Sequence, residues 1–210
     1  MIKVLLADDQ KMVRQGIRMM IEETGEFSVT AEADTGREAV MQGKTADVDI
    51  AVLDVRMPEM TGLAACRELI ELFPELPVLI LTTFDDDAYA IEALENGAKG
   101  FMLKDADASK LITAMKKALE GGITIDEGVA GRIIPDLMKK EKPPQTNISL
   151  TKRERDITIL IGEGRTNQEI ASELFLSVGT VKNHISVILD KLELRDRTQL
   201  AIFAIRQNLV

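Results

Sequence analysis

Cysteine, histidine and aromatic residues are scarce in this chain of 210 residues. Cys66 and His184 are the only residues of their types, tryptophan is absent, and aromatic side chains make up 3% of the sequence. A single cysteine excludes an intrachain disulfide and indicates a reducing, cytoplasmic location. A lone histidine without a second His or a Cys nearby argues against a zinc site, so we expect a structural or phosphate-facing role for His184. Cys66 falls on the apolar side of a helical pattern and is interpreted as a small buried hydrophobe.

Long apolar runs are also missing. No stretch reaches the roughly 18 apolar residues needed to cross a bilayer. The N-terminus does not have the shape of a signal peptide, so we expect no membrane association. The net charge of −9 is unevenly distributed, because residues 149–210 hold 9 basic and 8 acidic side chains and residues 1–148 hold the other 17 and 27. This asymmetry indicates two parts with different tasks.

The first 121 residues alternate between strand and helix patterns. Strand-like runs lie at 2–7, 27–33, 49–53, 77–82 and 99–103, and helix-period stretches lie near 11–24, 36–45, 62–73, 86–97 and 107–121. Helix N-caps are expected at Thr35, Thr61 and Asp85. Five consecutive βα units predict a doubly wound α/β domain, in which helices cover both faces of a five-stranded parallel sheet.

The character of the sequence changes after this domain. Residues 122–148 are interpreted as a linker that is partly helical, with a candidate helix at 127–140 weakened by Gly131 and Pro135. Residues 149–210 show only helical patterns, near 152–164, 167–174, 178–193 and 197–207. Thr151 and Thr166 each precede a Glu by three residues, which predicts capping boxes, and Asp196 is a similar helix start. The linker therefore joins the α/β domain to a small all-α domain.

Four of the predicted strands end in a residue that can do chemistry. Asp8 and Asp9 end the first strand, Asp54 the third, Thr82 the fourth and Lys104 the fifth. The carboxyl ends of the strands form the ligand-binding edge of a doubly wound sheet, so these side chains are expected to converge. Crowded carboxylates need a counter-ion, and Mg²⁺ (or Mn²⁺) accepts such oxygens together with phosphate oxygens. Each aspartate taken alone could instead be a solvated turn residue or a helix N-cap.

In this order the motifs resemble the receiver domain of two-component response regulators, over the whole of residues 1–121. The matching segments are Leu6–Asp9, Asp54–Pro58 with Gly62, Leu81–Thr83, and Gly97–Phe101 leading to Lys104. The resemblance implies a flavodoxin-like fold in which Asp54 accepts a phosphoryl group from a sensor histidine kinase. The implied roles are Mg²⁺ binding for Asp8, Asp9, Asp54 and the backbone carbonyl of Arg56, phosphoryl binding for Lys104 and Thr82, and an inward-moving aromatic switch for Phe101.

Residues 167–192 have the spacing of a helix-turn-helix motif. The second helix has an apolar face, and its polar side chains lie near the N-terminal half, where a recognition helix reads base edges. We expect base contacts from Lys182, Asn183 and Ser186, and phosphate contacts from Ser177, Thr180, Arg195 and Arg197. A plain helical bundle would show a similar periodicity.

Specific strings in this region resemble the LuxR-type DNA-binding domain. They are Leu150–Asp156, Thr166–Ala171 and Thr180–His184. With the receiver, the chain resembles the NarL/FixJ class of response regulators across nearly its full length. The resemblance implies a transcription factor that is phosphorylated by its cognate sensor kinase, forms a homodimer and then binds promoter DNA. Because the all-α domain has a net charge of only +1, we expect its DNA binding to depend on dimerisation.

Two other functions fit parts of the pattern. A phosphatase that forms an aspartyl phosphate would need a second acid two residues after the nucleophile. Arg56 occupies that position, so we expect a stoichiometric phosphoacceptor and not an enzyme. The alternative of a constitutive DNA-binding dimer with a silent receiver is disfavoured by the complete set of pocket residues. We also expect the unphosphorylated protein to be mostly monomeric.

Overall fold

The structure is a computed structural model that describes residues 1–83, 87–139 and 150–210, without the side chains of Asp136, Met138 and Lys139. The predicted N-cap at Asp85 and residues 140–148 of the predicted linker lie outside the described residues. Within these ranges no helix combines the length and the apolar character needed to cross a membrane.

The N-terminal part is a parallel sheet with helices on both faces, as predicted. Its strands are β1 (Ile2–Ala7), β2 (Phe27–Ala33), β3 (Ile50–Asp54), β4 (Val78–Thr82), β5 (Gly100–Leu103) and β6 (Thr124–Ile125), in the order β2-β1-β3-β4-β5-β6. Its helices are α1 (Lys11–Glu22), α2 (Gly36–Thr45), α3 (Gly62–Leu72), α4 (Asp87–Glu95) and α5 (Ala108–Leu119). β1 and β3 are parallel, but the direction in which successive strands are added to the sheet reverses between them. The crevice at such a point is where doubly wound sheets bind ligands.

The core of this part lies on both faces of the sheet. Every residue of β3 and β4 is buried, which explains their uninterrupted apolar sequences. Neighbouring residues of β1 enter different clusters, because successive side chains of a strand point to opposite faces. Leu6 packs with Ile21 of α1 and Met115 of α5, whereas Leu5 packs with Leu69 of α3.

The sheet has six strands, and the prediction of five was wrong. Thr124 and Ile125 pair with Gly100 and Phe101 to form β6 at the edge of the sheet. Two residues are too few to show a periodic pattern, so this strand had no signal in the sequence. The predicted linker therefore starts as part of the sheet and continues as α6 (Glu127–Lys139), which contains Pro135.

The C-terminal part consists of α7 (Lys152–Gly162), α8 (Asn167–Leu174), α9 (Val178–Leu192) and α10 (Arg197–Arg206). The capping boxes at Thr151 and Thr166 are confirmed with both of their reciprocal hydrogen bonds. The predicted start at Asp196 is also confirmed, since its carboxylate accepts from two backbone N–H groups of α10. The cap at Thr35 is a single bond, because the carboxylate of Glu38 instead accepts from the backbone of Asp34.

Candidate functional site

The carboxylates of Asp8, Asp9 and Asp54 converge at the ends of β1 and β3. One oxygen from each lies within 4.8 Å of the others. Asp8 and Asp54 are buried, whereas Asp9 is exposed at the mouth of the pocket. The Lys104 ammonium closes the inner side, 2.7 Å from Asp8 Oδ2 and 2.9 Å from Asp54 Oδ1. The expected convergence of these four side chains is therefore present.

The pocket holds more negative than positive charge, because three carboxylates lie beside one ammonium. Burial raises the pKa of Asp54, the hydrogen bond and charge of Lys104 oppose that rise, and the charges of Asp8 and Asp9 add to it. One ammonium thus faces three carboxylates. A hard divalent cation with oxygen ligands would relieve this excess, and the donor set suits Mg²⁺, which uses one or two carboxylates together with waters and phosphate oxygens. The residues present therefore fit the ion.

The loop after β3 is held close to the strand by a glycine. Gly62 donates its N–H to the Val55 carbonyl at 2.9 Å, and a Cβ atom at Gly62 would overlap the carbonyl oxygen of Asp54. Thr61 caps α3 through its hydroxyl, which accepts from the Ala64 N–H. These contacts fix the backbone that follows the predicted phosphoacceptor. The Arg56 guanidinium points to α4, where Nη2 lies 3.3 Å from the Tyr89 hydroxyl.

The predicted switch residues lie on the two strands beside Asp54. Thr82 is fully buried at the end of β4, and its carbonyl accepts from the Lys104 N–H at 2.8 Å. This bond joins the backbone of Thr82 to the backbone of Lys104, the residue that carries the ammonium. Phe101 on β5 is fully buried in the cluster that includes Leu94 of α4 and Ile133 of α6. The ring therefore occupies an inward position in this structure.

The second candidate site is the exposed side of α9. Ser177 caps this helix by accepting from the Thr180 N–H at 3.0 Å, and its hydroxyl lies 2.8 Å from the Thr180 hydroxyl. Val181, Ile185 and Ile188 are buried against the rest of the domain. The intervening residues that we expected to contact bases, Lys182, Asn183 and Ser186, are all exposed.

Comparison with known proteins agrees with both halves of this geometry. The family model for the response regulator receiver domain matches residues 4–116, and the model for bacterial regulatory proteins of the luxR family matches residues 148–204. The chain belongs to the response regulators with a LuxR-type DNA-binding domain. Relatives of this chain in the family are transcriptional regulators of two-component systems, so a sensor kinase and DNA are the partner classes of the family.

Individual relatives match over nearly the whole chain of this response regulator. The transcriptional regulatory protein LnrK of Bacillus subtilis is 37% identical over 98% of this chain and 97% of its own. The transcriptional regulatory protein LiaR of Bacillus subtilis is 37% identical over the full length of both. Among solved structures, the response regulator ChrA of a heme-sensing two-component system aligns with a TM-score of 0.52 at 34% identity, covering 100% of this chain and 98% of that chain.

Two of the arginines expected at DNA phosphates have other partners in this response regulator. Arg197 is 7% exposed, donates to Asn167 Oδ1 at 2.7 Å and also to the Arg165 carbonyl. Burial lowers the pKa of its guanidinium to about 10. Arg195 donates to the Glu95 carbonyl at 3.0 Å. The structure therefore contradicts the phosphate contact of Arg197, which lies inside the domain, and it places Arg195 at the contact between the two domains.

That contact joins α10 to the C-terminal end of α4. The Thr198 hydroxyl lies 3.3 Å from both the Gly97 and Ala98 carbonyls and accepts from Lys99 Nζ at 3.2 Å. Arg206 at the other end of α10 pairs with the Glu95 carboxylate at 3.0 Å. We call the residues of this contact the α10–α4 latch; they are Glu95, Gly97, Ala98, Lys99, Arg195, Asp196, Thr198 and Arg206. Sequence reasoning missed the latch, because its only signal was the helix start at Asp196.

Proposed function

We propose that Asp54 is the phosphoacceptor of this response regulator and that its phosphorylation controls promoter binding by α9. The observation that carries the proposal is the pairing of a buried carboxylate, Asp54, with the Lys104 ammonium beside two further carboxylates. This set is arranged for phosphoryl transfer, since a carboxylate can attack phosphorus only where neighbouring cations neutralise the transferring group.

We infer that Mg²⁺ or Mn²⁺ binds at the carboxylates. Asp9 and Asp54 would hold the ion directly, Asp8 mainly through water, and the Arg56 backbone carbonyl would complete the protein ligands. When bound, the ion supplies positive charge that stabilises the phosphoryl oxygens during transfer. The exposed position of Asp9 supports this assignment, because an ion entering from solvent meets that carboxylate first.

The proposed transfer exchanges one bond to phosphorus for another. A carboxylate oxygen of Asp54 bonds to phosphorus while the bond from phosphorus to the imidazole nitrogen of the kinase histidine breaks, and that nitrogen leaves with the electron pair. Lys104, now 2.9 Å from Asp54, would bind a phosphoryl oxygen. The Thr82 hydroxyl would donate to another, gaining a charge-assisted bond that exists only in the phosphorylated state. Because Arg56, and not a second acid, lies two residues after Asp54, we infer a stoichiometric acceptor and not a turnover enzyme.

The latch suggests how the signal would reach the DNA-binding domain. Thr82 and Lys104 lie at the ends of β4 and β5, and α4 follows β4, so a movement at the phosphoryl group would displace α4. The end of α4 supplies the carbonyls that Thr198 and Arg195 bind. Displacement of these carbonyls would loosen α10 and release the C-terminal domain, which would then form a homodimer on two half-sites.

We propose that the exposed residues of α9 contact DNA. Lys182, Asn183 and Ser186 would read base edges in the major groove, and Ser177 and Thr180 at the helix start would bind phosphate. Arg195 would reach a phosphate only after release from the latch. In this proposal the receiver spans 1–121 and the DNA-binding domain 149–210, while the segment 122–148 serves both as sheet edge and as connection.

The test is phosphoryl uptake with a small phosphodonor and Mg²⁺, followed by intact mass. We expect one phosphoryl group on the wild-type protein and none on the Asp54→Ala variant. Promoter affinity and sedimentation are then compared with and without phosphodonor. Uptake at Asp54 that changes neither DNA affinity nor oligomeric state would favour the constitutive DNA-binding dimer. Absence of uptake from both the phosphodonor and the cognate kinase would refute the assignment of Asp54.

A further inference from the structure

A chain of ion pairs runs along the outer side of α1 and β2 towards the acidic pocket. Arg18 pairs with Glu22 at 3.2 Å and with Glu32 at 2.6 Å, and Glu32 also accepts from Arg14 Nε at 3.1 Å. The other side of the Arg14 guanidinium donates through Nη1 to the backbone carbonyl of Asp8. Among these ion-paired residues, Arg14 is thus the one that contacts the loop carrying the predicted metal ligands.

Asp8 makes two other hydrogen bonds, and neither uses its backbone carbonyl, which accepts from Arg14. The Asp8 N–H donates to the Ala33 carbonyl at 3.1 Å, and Asp8 Oδ1 accepts from the Gln10 N–H at 2.9 Å. The carbonyl of Asp8 belongs to the planar peptide group that it shares with Asp9, so its direction sets the rotation of that peptide. Holding that peptide restricts the backbone from which the Asp9 side chain projects, and so restricts the direction of its carboxylate.

Arg14 is held well enough to define that direction. Its side chain is 13% exposed, and Glu32 receives both Arg14 and Arg18, which limits the positions open to the carboxylate. A guanidinium presents donors in a rigid planar fork, so it can bind Glu32 on one side and the Asp8 carbonyl on the other. A lysine ammonium on a flexible stem has no such fork and would satisfy one partner at the expense of the other.

We propose that Arg14 is a positioning residue for the metal site, which orients the Asp8–Asp9 peptide so that the Asp9 carboxylate faces Asp8 and Asp54. The inference rests on the proposed function, because it assumes that these carboxylates bind a divalent ion. Arg14 would not contact the ion itself. Groups that orient metal ligands in this way commonly contribute about tenfold to a hundredfold in metal affinity. We expect a value near tenfold, since two further hydrogen bonds already hold Asp8.

The test measures Mn²⁺ binding to the full chain by electron paramagnetic resonance, with Mg²⁺ as competitor. The test variant is Arg14→Lys, which keeps the charge and removes the planar fork. The matched control is Arg18→Lys, which makes the same change one turn along α1 in a residue that pairs with Glu32 and does not contact Asp8. Arg14→Gln is a second test variant, and circular dichroism establishes which variants fold. Phosphoryl uptake is also measured as a function of Mg²⁺ concentration.

We expect the Mn²⁺ dissociation constant of Arg14→Lys to rise about tenfold and that of Arg18→Lys to stay within twofold of the wild type. The Mg²⁺ concentration for half-maximal uptake should rise in parallel, whereas the rate at saturating Mg²⁺ should be retained. Unchanged Mn²⁺ affinity in a folded Arg14 variant would overturn the inference, as would an equal loss in Arg18→Lys. Failure of the wild-type chain to bind Mn²⁺ would instead refute the metal site, and the inference with it.

Discussion

We expect the α10–α4 latch to be weakened by removal of one hydroxyl group, that of Thr198. Thr198 is fully buried, and the hydrogen bonds of its hydroxyl all reach the receiver, at Gly97, Ala98 and Lys99. Its backbone N–H, by contrast, caps α10 by donating to Asp196. The Thr198→Val substitution keeps the shape of the side chain and the helix cap but removes the bonds between domains.

We call the arrangement in which α10 contacts α4 the docked state. The size of the effect follows from the hydrogen bonds that this state loses in the variant. In the docked state of the variant, two carbonyls and the Lys99 ammonium lose this partner, whereas water replaces it once the domains separate. A buried polar group without its hydrogen bond costs about 1–3 kcal/mol, which lowers the ratio of docked to open protein by about fivefold to 150-fold. The Asp196 carboxylate also stabilises the Lys99 charge. We therefore expect the lower part of the range, near tenfold.

The assay is small-angle X-ray scattering of the unphosphorylated protein, with Thr158→Val as the matched control. Thr158 is equally buried, but its hydroxyl donates to the Glu154 carbonyl within α7, away from the receiver. We expect the radius of gyration to increase for Thr198→Val and not for Thr158→Val. Because Lys182 and Asn183 are exposed in the docked state, affinity for a single half-site should change little. Affinity for a paired site should rise without phosphodonor, since a released domain can adjust to a second copy.

Two results would refute this reasoning. Scattering curves of Thr198→Val and the wild type that coincide, together with equal affinities for the paired site, would mean that the latch does not hold the domains together. An equal expansion of Thr158→Val would mean that any loss of a buried hydroxyl loosens the molecule, and the specific role of the α4 carbonyls would be lost.

Three further outcomes are expected. Burial raises the pKa of Asp54, so the folded state binds the proton of this carboxyl group more tightly than the unfolded chain, and stability falls as the pH rises through the shifted pKa. Asp54→Asn should therefore raise Tm more at pH 7 than near pH 3, and a lower Tm at pH 7 would contradict this. Lys182→Ala and Asn183→Ala should each weaken specific promoter binding by about 1–3 kcal/mol in a gel-shift titration while leaving phosphoryl uptake unchanged. Undiminished specificity in either variant would show that the substituted residue does not contact the bases. Burial raises the pKa of the Cys66 thiol to about 12, so alkylation at pH 8 should be slow in the native protein and rapid in denaturant. Rapid alkylation of the native protein would show that the thiol is accessible.

Features with a local physical cause were predictable from the sequence. The strands β1 and β2 begin and end where predicted, at 2–7 and 27–33, because the apolar run of β1 and the alternating apolar residues of β2 are both strand patterns. The capping boxes at Thr151 and Thr166 follow from a Thr and a Glu three residues apart. Convergence of Asp8, Asp54 and Lys104 also follows, since parallel strands place their carboxyl ends at one edge. Boundaries shifted by one or two residues, as at β3, where Asp54 itself closes the strand.

Features that depend on distant partners were not predictable. Arg197 resembles an exposed phosphate-binding residue by its place after α9, yet Asn167 and the Arg165 carbonyl enclose it. The same holds for Arg14, whose contact with the Asp8 carbonyl cannot be read from the spacing of the two residues. In both cases one of the partners is a backbone carbonyl, which every residue carries and which therefore leaves no mark in the sequence.

By itself the sequence determined the two-domain order, the parallel sheet, the acidic pocket and the helix-turn-helix, because periodicity, strand ends and caps encode these through neighbouring residues. The tertiary structure decided the sixth strand, the burial of Arg197 and the docking of α10 on α4. These features depend on contacts between residues that are distant in the sequence, 30 positions apart for Arg197 and Asn167 and 100 for Thr198 and Ala98. The role of the Thr198 hydroxyl follows only from the carbonyls that the fold places opposite it.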